Sequence, residues 1–168
     1  MRIGIFGGAF NPPHIGHLKL AQEATEKLKL DRLIYVICGQ PLHKDSKDFI
    51  GSLYRKHMLE LLTNKTGLIS MIEAFLKFPS YTINTLRVFK ETYPEDELFL
   101  ILGSDEGIQL NTWHEAEKIP YFATVCVFNR GNISSTDIRE RIRNGVPITN
   151  FVTAGVEDYI KRNDFYIN

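Results

Sequence analysis

The sequence predicts an α/β protein with a doubly wound, Rossmann-like parallel sheet of about five strands. Short apolar runs alternate with amphipathic helical patterns throughout the 168 residues. This alternation is typical of βα units, and runs rich in β-branched and aromatic residues are typical of strands buried on both faces. With 43% hydrophobic and 24% charged residues, the composition is that of an ordinary globular domain. We expect one domain over residues 1–168, with the sheet in residues 1–130 and a small helical section in residues 131–168.

Each element follows from its local pattern. The strand-like runs, all short and apolar, are Arg2–Phe6, Arg32–Cys38, Leu68–Ile72, Leu98–Leu102 and Ala123–Phe128. The helical patterns are Ile15–Lys29, Ser52–Leu62, Thr82–Tyr93, a short piece near Glu115–Ile119, Ser135–Asn144 and Val156–Arg162. Gly145 and Pro147 mark the end of the fifth helical pattern. In a sheet of this kind, ligands bind beyond the carboxyl ends of the strands, where the strand order reverses.

Charge and cysteine content disfavour several functional classes. Lys plus Arg and Asp plus Glu both number 20, so we expect neither nucleic acid nor an anionic membrane as a partner. No apolar run approaches the roughly 20 residues of a membrane span, and no signal-peptide pattern precedes the first strand. Cys38 and Cys126 lie in apolar runs, which favours buried thiols over a disulfide and fits a cytoplasmic location. Nothing in the sequence predicts an oligomeric state.

The most informative segment is Gly4–His17, which reads G-I-F-G-G-A-F-N-P-P-H-I-G-H. The first strand ends at Gly7 and Gly8, and glycines let the backbone approach an anion closely. His14 and His17 lie three residues apart in the first turn of the following helix, so both imidazoles can reach one ligand. Because a helix N-terminus offers free N–H groups and the positive end of the macrodipole, the segment predicts a polyphosphate site.

This segment also has simpler interpretations. A glycine turn between a strand and a helix occurs in many α/β proteins that bind nothing there, and an H-x-x-H pair also occurs in metal sites and on surfaces. A zinc site is disfavoured, because no further ligand lies at a suitable spacing, and we expect no metal held by protein side chains. Pro12 and Pro13 fix the start of the helix, and this context favours the phosphate interpretation.

A second phosphate-binding pattern lies over a hundred residues further on, at Ile133–Arg139 (I-S-S-T-D-I-R). Ser134, Ser135 and Thr136 open a helix in a capping arrangement, and Arg139 follows Ser135 by four residues, on the same side. Hydroxyls, free N–H groups and a guanidinium together suit a phosphate. The alternative is a capped helix with a solvent-facing arginine, and this segment alone does not decide between the two.

Both segments resemble the signatures of the H-x-G-H nucleotidyltransferase superfamily, G-G-x-F-[ND]-P-x-H-x-G-H and I-S-S-T-x-I-R. Further segments extend the resemblance to bacterial nicotinate-mononucleotide adenylyltransferases. They are P-L-H-K at 41–44, R-K-H-M-L at 55–59, P-S-Y-T-I-N-T-L at 79–86, G-S-D at 103–105 and N-T-W at 111–113. The resemblance covers most of the chain. It implies a single nucleotidyltransferase domain that joins ATP and nicotinate mononucleotide to give deamido-NAD and pyrophosphate in NAD biosynthesis.

The resemblance also implies roles for individual residues. His14, His17 and Arg139 are the implied catalytic residues. The implied ATP-binding set is Gly7, Gly8, Phe10, His14, His17, Gly103, Asp105, Ser134, Ser135, Thr136 and Arg139. The implied mononucleotide-binding set is Gly8, Ala9, Lys44, Tyr81, Thr82 and Trp113. Structural or surface roles are expected for His43, His57, His114 and Arg55. Mg²⁺ is expected to be bound through the ATP phosphates rather than by a carboxylate cage.

These roles have a physical basis. The rings of Tyr81 and Trp113 suit stacking on a flat pyridine, and the helix N-terminus near Thr82 suits its carboxylate. Asp105, at the carboxyl end of a strand, can accept hydrogen bonds from ribose hydroxyls, and Lys44 can pair with a substrate phosphate. Without the resemblance, each of these residues would be interpreted as an ordinary core, turn or surface residue.

The chain departs from the family pattern at one place. Only Gly131 and Asn132 separate Arg130 from Ile133, where the family has a long connection that usually includes a further strand. We therefore expect a trimmed sheet edge, with a possible loss of ATP affinity. Two alternative functions stay open: a sister nucleotidyltransferase that uses the amide mononucleotide or another phosphate acceptor, and a nucleotide-binding module without turnover.

Overall fold

Five parallel strands form one sheet in the computed structural model, which describes residues 1–39, 49–75, 80–129 and 131–167. The strands are β1 (Arg2–Gly8), β2 (Arg32–Ile37), β3 (Leu68–Ser70), β4 (Glu97–Gly103) and β5 (Thr124–Phe128). Their spatial order is β3-β2-β1-β4-β5, and every neighbouring pair is parallel. The predicted doubly wound α/β fold is confirmed. The order reverses at β1, so the crevice for a ligand opens at the carboxyl ends of β1 and β4.

Seven α-helices connect or follow the strands in the described part of the chain. They are α1 (Ile15–Leu28), α2 (Ser52–Leu62), α3 (Ile72–Phe75), α4 (Thr82–Thr92), α5 (Ser104–Gln109), α6 (Ser135–Arg143) and α7 (Ala154–Arg162), with 3₁₀ turns at Leu110–Thr112 and Ala116–Tyr121. None of these helices combines the length and apolarity needed to cross a membrane.

The structure differs from the predicted pattern at three places. The third strand ends at Ser70 because the Ser70 hydroxyl accepts the N–H of Ile72, which turns the chain into α3. Helix α5 was missed, since six residues are too few to show a helical period; its start is fixed by the Glu106 carboxylate, which accepts the N–H of Gly103 at 2.9 Å. The piece near residues 115–119 is a 3₁₀ turn containing Pro120.

The two faces of the sheet carry separate cores. Ile3, Ile5 and Val36 pack beneath α4, whose apolar side includes Ile83 and Leu86. The opposite face holds the alternate strand residues together with side chains from α1, α2, α6 and α7. That cluster includes Phe6, Tyr35, Ile101, Leu20, Met58, Ile138, Val156 and Ile160. Helices α6 and α7 therefore pack against the same core as the loop that follows β1.

Candidate active site

A cavity of about 270 Å³ lies at the carboxyl ends of β1 and β4. It is lined by Phe6, Gly7, Gly8, Ala9, Phe10, Asn11, His17, Leu20, Asp105, Glu106, Ser134, Ser135, Thr136 and Arg139. Both sequence signatures thus contribute to one cavity. The position is the one that the strand order predicts for a ligand.

Two long-range hydrogen bonds join the signatures. The Ser135 hydroxyl donates to the Pro12 carbonyl oxygen at 2.9 Å, and Arg139 Nη1 donates to the Asn11 carbonyl oxygen at 2.7 Å. Arg139 Nη2 also reaches the Thr136 hydroxyl at 3.2 Å. The start of α6 is therefore tied to the loop before α1. The predicted convergence of the two segments is confirmed. That both segments bind the same triphosphate stays a prediction.

The two histidines occupy different positions at the start of α1. His14 is the N-cap residue with an extended backbone, and His17 is the third residue of the helix, so the expectation that both lie in the first turn was wrong for His14. The His14 N–H donates to His17 Nδ1 at 3.1 Å, which places the imidazole where a capping-box carboxylate usually lies. Because Nδ1 accepts a hydrogen bond, the neutral ring carries its proton on Nε2.

His14 and His17 also differ in access to the cavity. The ring centroids lie 3.7 Å apart, and both side chains are buried. His17 lines the cavity, and its ring packs against Phe10 with centroids 5.0 Å apart. His14 is not among the lining residues, so of the two only His17 faces the cavity directly.

Gly7 and Phe10 shape the loop after β1. A Cβ atom on Gly7 would meet nothing within 4 Å, which means that this backbone position faces open space in the cavity. Phe10 has a φ of 47°, an uncommon conformation for a residue with a side chain, and its ring is buried against Phe6 and Tyr35. Phe10 therefore anchors the loop while it also lines the cavity.

The hydroxyl segment caps α6 as predicted. Ser134 is the N-cap, and its hydroxyl accepts the N–H of Asp137 at 3.0 Å. Ser134, Ser135 and Thr136 all line the cavity at this helix N-terminus. Across the cavity, α5 contributes Asp105 and also Glu106, which the sequence analysis did not single out. Gly103 ends β4 but is not a lining residue.

The residues predicted for the mononucleotide divide into two groups. Gly8 and Ala9 line the cavity. Tyr81, the N-cap of α4, with Thr82 and Trp113, lies outside the lining, and Lys44 lies outside the described residues. Tyr81 stacks on His114 with ring centroids 4.3 Å apart, which sequence reasoning did not foresee. His43, assigned a structural or surface role, also lies outside the described residues.

The start of α4 is held beside the end of β2. A Cβ on Gly39 would lie 2.6 Å from the Glu73 carbonyl oxygen and 2.8 Å from the Ser80 hydroxyl, so the chain passes very close to this glycine. The Thr85 hydroxyl donates to Glu73 Oε1 at 2.6 Å. Burial raises the pKa of Glu73 to about 7, although the Thr85 and Ser80 hydroxyls favour its charged form.

Asn11 and Arg55 were missed as organisers of the site. Asn11 Oδ1 accepts hydrogen bonds from the Ile50 N–H at 3.2 Å and from the Tyr166 hydroxyl at 2.8 Å. Arg55 is 1% exposed and donates to backbone carbonyls near the ends of β1 and β2. An asparagine between a phenylalanine and two prolines gives little local signal for such a role, and neither does an arginine followed by a lysine and a histidine in α2.

No group of three or more His, Cys, Asp or Glu side chains in residues 1–39, 49–75, 80–129 and 131–167 is arranged to hold a metal ion. The carboxylates of Asp105 and Glu106 are the acidic groups that line the cavity.

Comparison with known proteins identifies the family. A sequence model of the family described as cytidylyltransferase-like matches residues 5–141. A Bacillus subtilis protein named nicotinate-nucleotide adenylyltransferase is 33% identical, with 98% of each chain covered. A protein of Shouchella clausii named "Probable nicotinate-nucleotide adenylyltransferase" is 37% identical over 98% of this chain and 96% of the relative. This chain belongs to the nicotinate-nucleotide adenylyltransferases of the cytidylyltransferase-like family. It is therefore a nucleotidyltransferase of NAD biosynthesis.

The fold agrees with this membership. A crystal structure of a protein from Vibrio parahaemolyticus superposes with a TM-score of 0.83, covering 99% of this chain and 96% of that chain at 24% identity. The family signatures Gly7–His17 and Ile133–Arg139 are the two segments that meet at the cavity. In the described part of this family member, β5 is the edge strand of the sheet on the side of β4.

Proposed function

We propose that the protein transfers the adenylyl group of ATP to the 5′-phosphate of nicotinate mononucleotide, giving deamido-NAD and pyrophosphate. The names of the relatives support the reaction class and the pyridine nucleotide. The observation that carries the assignment to this site is the convergence of His17, Ser135 and Arg139 on one cavity. The His17 imidazole, the helix N-terminus at Ser135 and the Arg139 guanidinium offer N–H groups suited to phosphate oxygens.

The triphosphate is proposed to lie between the N-termini of α1 and α6. Gly7 leaves room for it, and His17 Nε2 donates to an oxygen on one side. Ser135, Thr136 and Arg139 hold the other phosphates, because a helix N-terminus and a guanidinium both favour anions. Ser134 closes this end as the helix cap, and Asp105 is placed to accept from ribose hydroxyls.

The chemistry requires positioning and charge neutralisation rather than a covalent enzyme intermediate. A phosphate oxygen of the mononucleotide attacks the α-phosphorus of ATP, and pyrophosphate leaves in line. As negative charge builds on the α-phosphate and the leaving group, His17 and Arg139 stabilise it from fixed positions. Mg²⁺, bound through the ATP phosphates, supplies further charge neutralisation. We propose that Asp105 and Glu106 face that end of the nucleotide.

The mononucleotide is proposed to enter from the side of β2 and α4. Gly8 and Ala9 border its phosphate, and the N-terminus of α4 at Tyr81–Thr82 offers N–H groups to the pyridine carboxylate. Trp113, which is half-buried next to the Tyr81–His114 stack, borders the ring. The reaction itself is expected in the cytoplasm.

A pyrophosphate-release assay with a panel of acceptors tests the proposal. With MgATP, we expect release with nicotinate mononucleotide and much weaker release with its amide or with phosphopantetheine. Preferential release with the amide would identify a sister nucleotidyltransferase. ATP binding without pyrophosphate release from any acceptor would identify a binding module, the alternative that the shortened connection before Ile133 suggests.

A further inference from the structure

Arg55 is a buried cation with only neutral partners in the described part of the chain. It lies in the first turn of α2, is 1% exposed, and has a pKa lowered by burial. Among the residues that the structure describes, its donors reach the backbone carbonyl oxygens of Ile50 at 2.7 Å, Ala9 at 2.7 Å, Cys38 at 2.8 Å and Gly39 at 3.2 Å. The ring of Phe49 lies 4.2 Å from the guanidinium carbon.

Those carbonyls belong to the ends of two adjacent strands. Ala9 directly follows β1, and Cys38 and Gly39 directly follow β2. The strands also stay joined beyond the regular sheet, because the Cys38 N–H donates to the Gly8 carbonyl at 2.9 Å. Arg55 Nη1 donates to the carbonyl after β1, and Nη2 donates to the carbonyl after β2. One planar guanidinium therefore fixes the separation of the two strand ends.

Each strand end leads to a different half of the proposed site. On the β1 side, Gly8 and Ala9 line the nucleotide cavity. On the β2 side, Gly39 touches Glu73 and Ser80, immediately before the proposed pyridine-binding turn at Tyr81. Burying a guanidinium is costly, and an apolar side chain would fill the same volume without that cost. At this location the charged, planar guanidinium can hold the two proposed substrate subsites at a fixed distance from each other.

We propose that Arg55 is a positioning residue of the transferase, which sets the alignment of the mononucleotide subsite with the ATP subsite. The proposal rests on the proposed function. It goes beyond that function, since Arg55 is not among the residues that line the nucleotide cavity. Misalignment of reactants by about 1 Å can cost on the order of a hundredfold in rate. The loss of this clamp should therefore lower kcat and leave the KM for each substrate nearly unchanged.

The test is steady-state kinetics of Arg55→Lys, which keeps the charge but cannot span both strand ends with a rigid fork. We expect kcat to fall about 10- to 100-fold, with little change in either KM. Arg162→Lys is the matched control, because Arg162 is an exposed guanidinium paired with Asp158 on α7, and its kinetics should equal those of the wild type. A folded Arg55→Lys enzyme with wild-type kcat would overturn the inference.

Gly39→Ala perturbs the same region, where the end of β2 meets Glu73 and Ser80, while Arg55 stays intact. The added methyl group would lie 2.6 Å from the Glu73 carbonyl oxygen of α3 and 2.8 Å from the Ser80 hydroxyl. It should therefore push α3 and the turn before α4 away from β2, giving the same fall in kcat. If Arg55→Lys does not fold, this variant decides: unchanged kcat in a folded Gly39→Ala enzyme overturns the proposal. A wild-type enzyme that releases no pyrophosphate with ATP and nicotinate mononucleotide would instead overturn the proposed function.

Discussion

Arg139 donates a hydrogen bond to the backbone carbonyl of Asn11 at 2.7 Å, across 128 residues of sequence. Asn11 Oδ1 in turn accepts from Ile50 and Tyr166, so the loop after β1 is bonded to the chain before α2, to α6 and to the C-terminal segment. Three distant parts of the chain therefore determine the shape of one short loop. Such preorganisation is what phosphoryl-type chemistry requires, because fixed donors stabilise developing charge without reorganising.

His17→Ala should lower kcat about 10²- to 10³-fold, roughly 3–4 kcal/mol, because a fixed donor to the transition state is lost. The folded state should lose only about 1 kcal/mol, from the missing acceptor for the His14 N–H. Turnover and thermal unfolding of the same preparation measure both. His57→Ala is the control, since that half-exposed imidazole is not among the lining residues and lies beside Glu60 and Tyr159 on α2 and α7. Near-normal turnover of His17→Ala would refute the role.

Arg139→Ala should weaken ATP binding about 10- to 100-fold, because a charged hydrogen-bond donor is typically worth about 1.5–3 kcal/mol. The binding loop should also loosen, since the bond to the Asn11 carbonyl is lost. Isothermal titration with a non-hydrolysable ATP analogue measures the change. Arg162→Ala removes an exposed arginine of α7 and serves as the control. Equal affinity of Arg139→Ala and the wild type would place the triphosphate elsewhere.

Gly7→Ala should leave the melting temperature unchanged and weaken ATP binding. The new methyl group meets nothing within 4 Å in the protein, so it is accommodated in the free enzyme but occupies the space assigned to the nucleotide. Gly155→Ala, where the nearest atom of Leu61 lies at 3.5 Å, is a glycine control far from the cavity. Thermal unfolding with and without the ATP analogue separates the two effects. Tight ATP binding by Gly7→Ala would contradict the placement.

Trp113 is the single tryptophan of the chain, so its fluorescence reports on one location. If the pyridine ring stacks there, nicotinate mononucleotide should quench the emission saturably. Trp113→Phe should keep most of the turnover at saturating mononucleotide, whereas Trp113→Ala should raise the KM for that substrate about tenfold, an effect of about 1.4 kcal/mol. Turnover without any change in fluorescence would move the pyridine site away from Trp113.

Glu73→Gln should stabilise the protein above neutral pH. The pKa of Glu73 is about 7 in the folded state and near 4.5 as an ordinary glutamate, so the folded state holds the proton more tightly. Wild-type stability therefore falls as the pH rises from about 4.5 to 7, by on the order of 1–3 kcal/mol. Glutamine avoids this loss while its oxygen can still accept from Thr85.

Urea unfolding at pH 4.5 and pH 8 measures this difference. The two proteins should be nearly equal in the free energy of unfolding at pH 4.5, and Glu73→Gln should be the more stable at pH 8. The control is Glu91→Gln, at an exposed glutamate of α4. A difference of the same size at both pH values would contradict the raised pKa.

Local signals explain what the sequence predicts about this fold and site. The five strands are short apolar runs, and the glycines at the end of β1 and the hydroxyls at the start of α6 are compact patterns with one physical use. The N-cap position of His14 was not foreseen, because imidazole rarely fills that position. A structural or surface role was expected for Arg55. Its burial could not be predicted from the sequence, because it depends on carbonyls 16, 17 and 46 residues away that only the folded chain brings together.

The position of the triphosphate tests the central claim most directly. In a crystal structure with a non-hydrolysable ATP analogue and Mg²⁺, we predict phosphate oxygens within hydrogen-bond distance of His17 Nε2, of the backbone N–H groups at the start of α6 and of the Arg139 guanidinium. The triphosphate should pass over Gly7, between the N-termini of α1 and α6. An analogue bound to one of these two segments alone, or outside the cavity, would contradict the account.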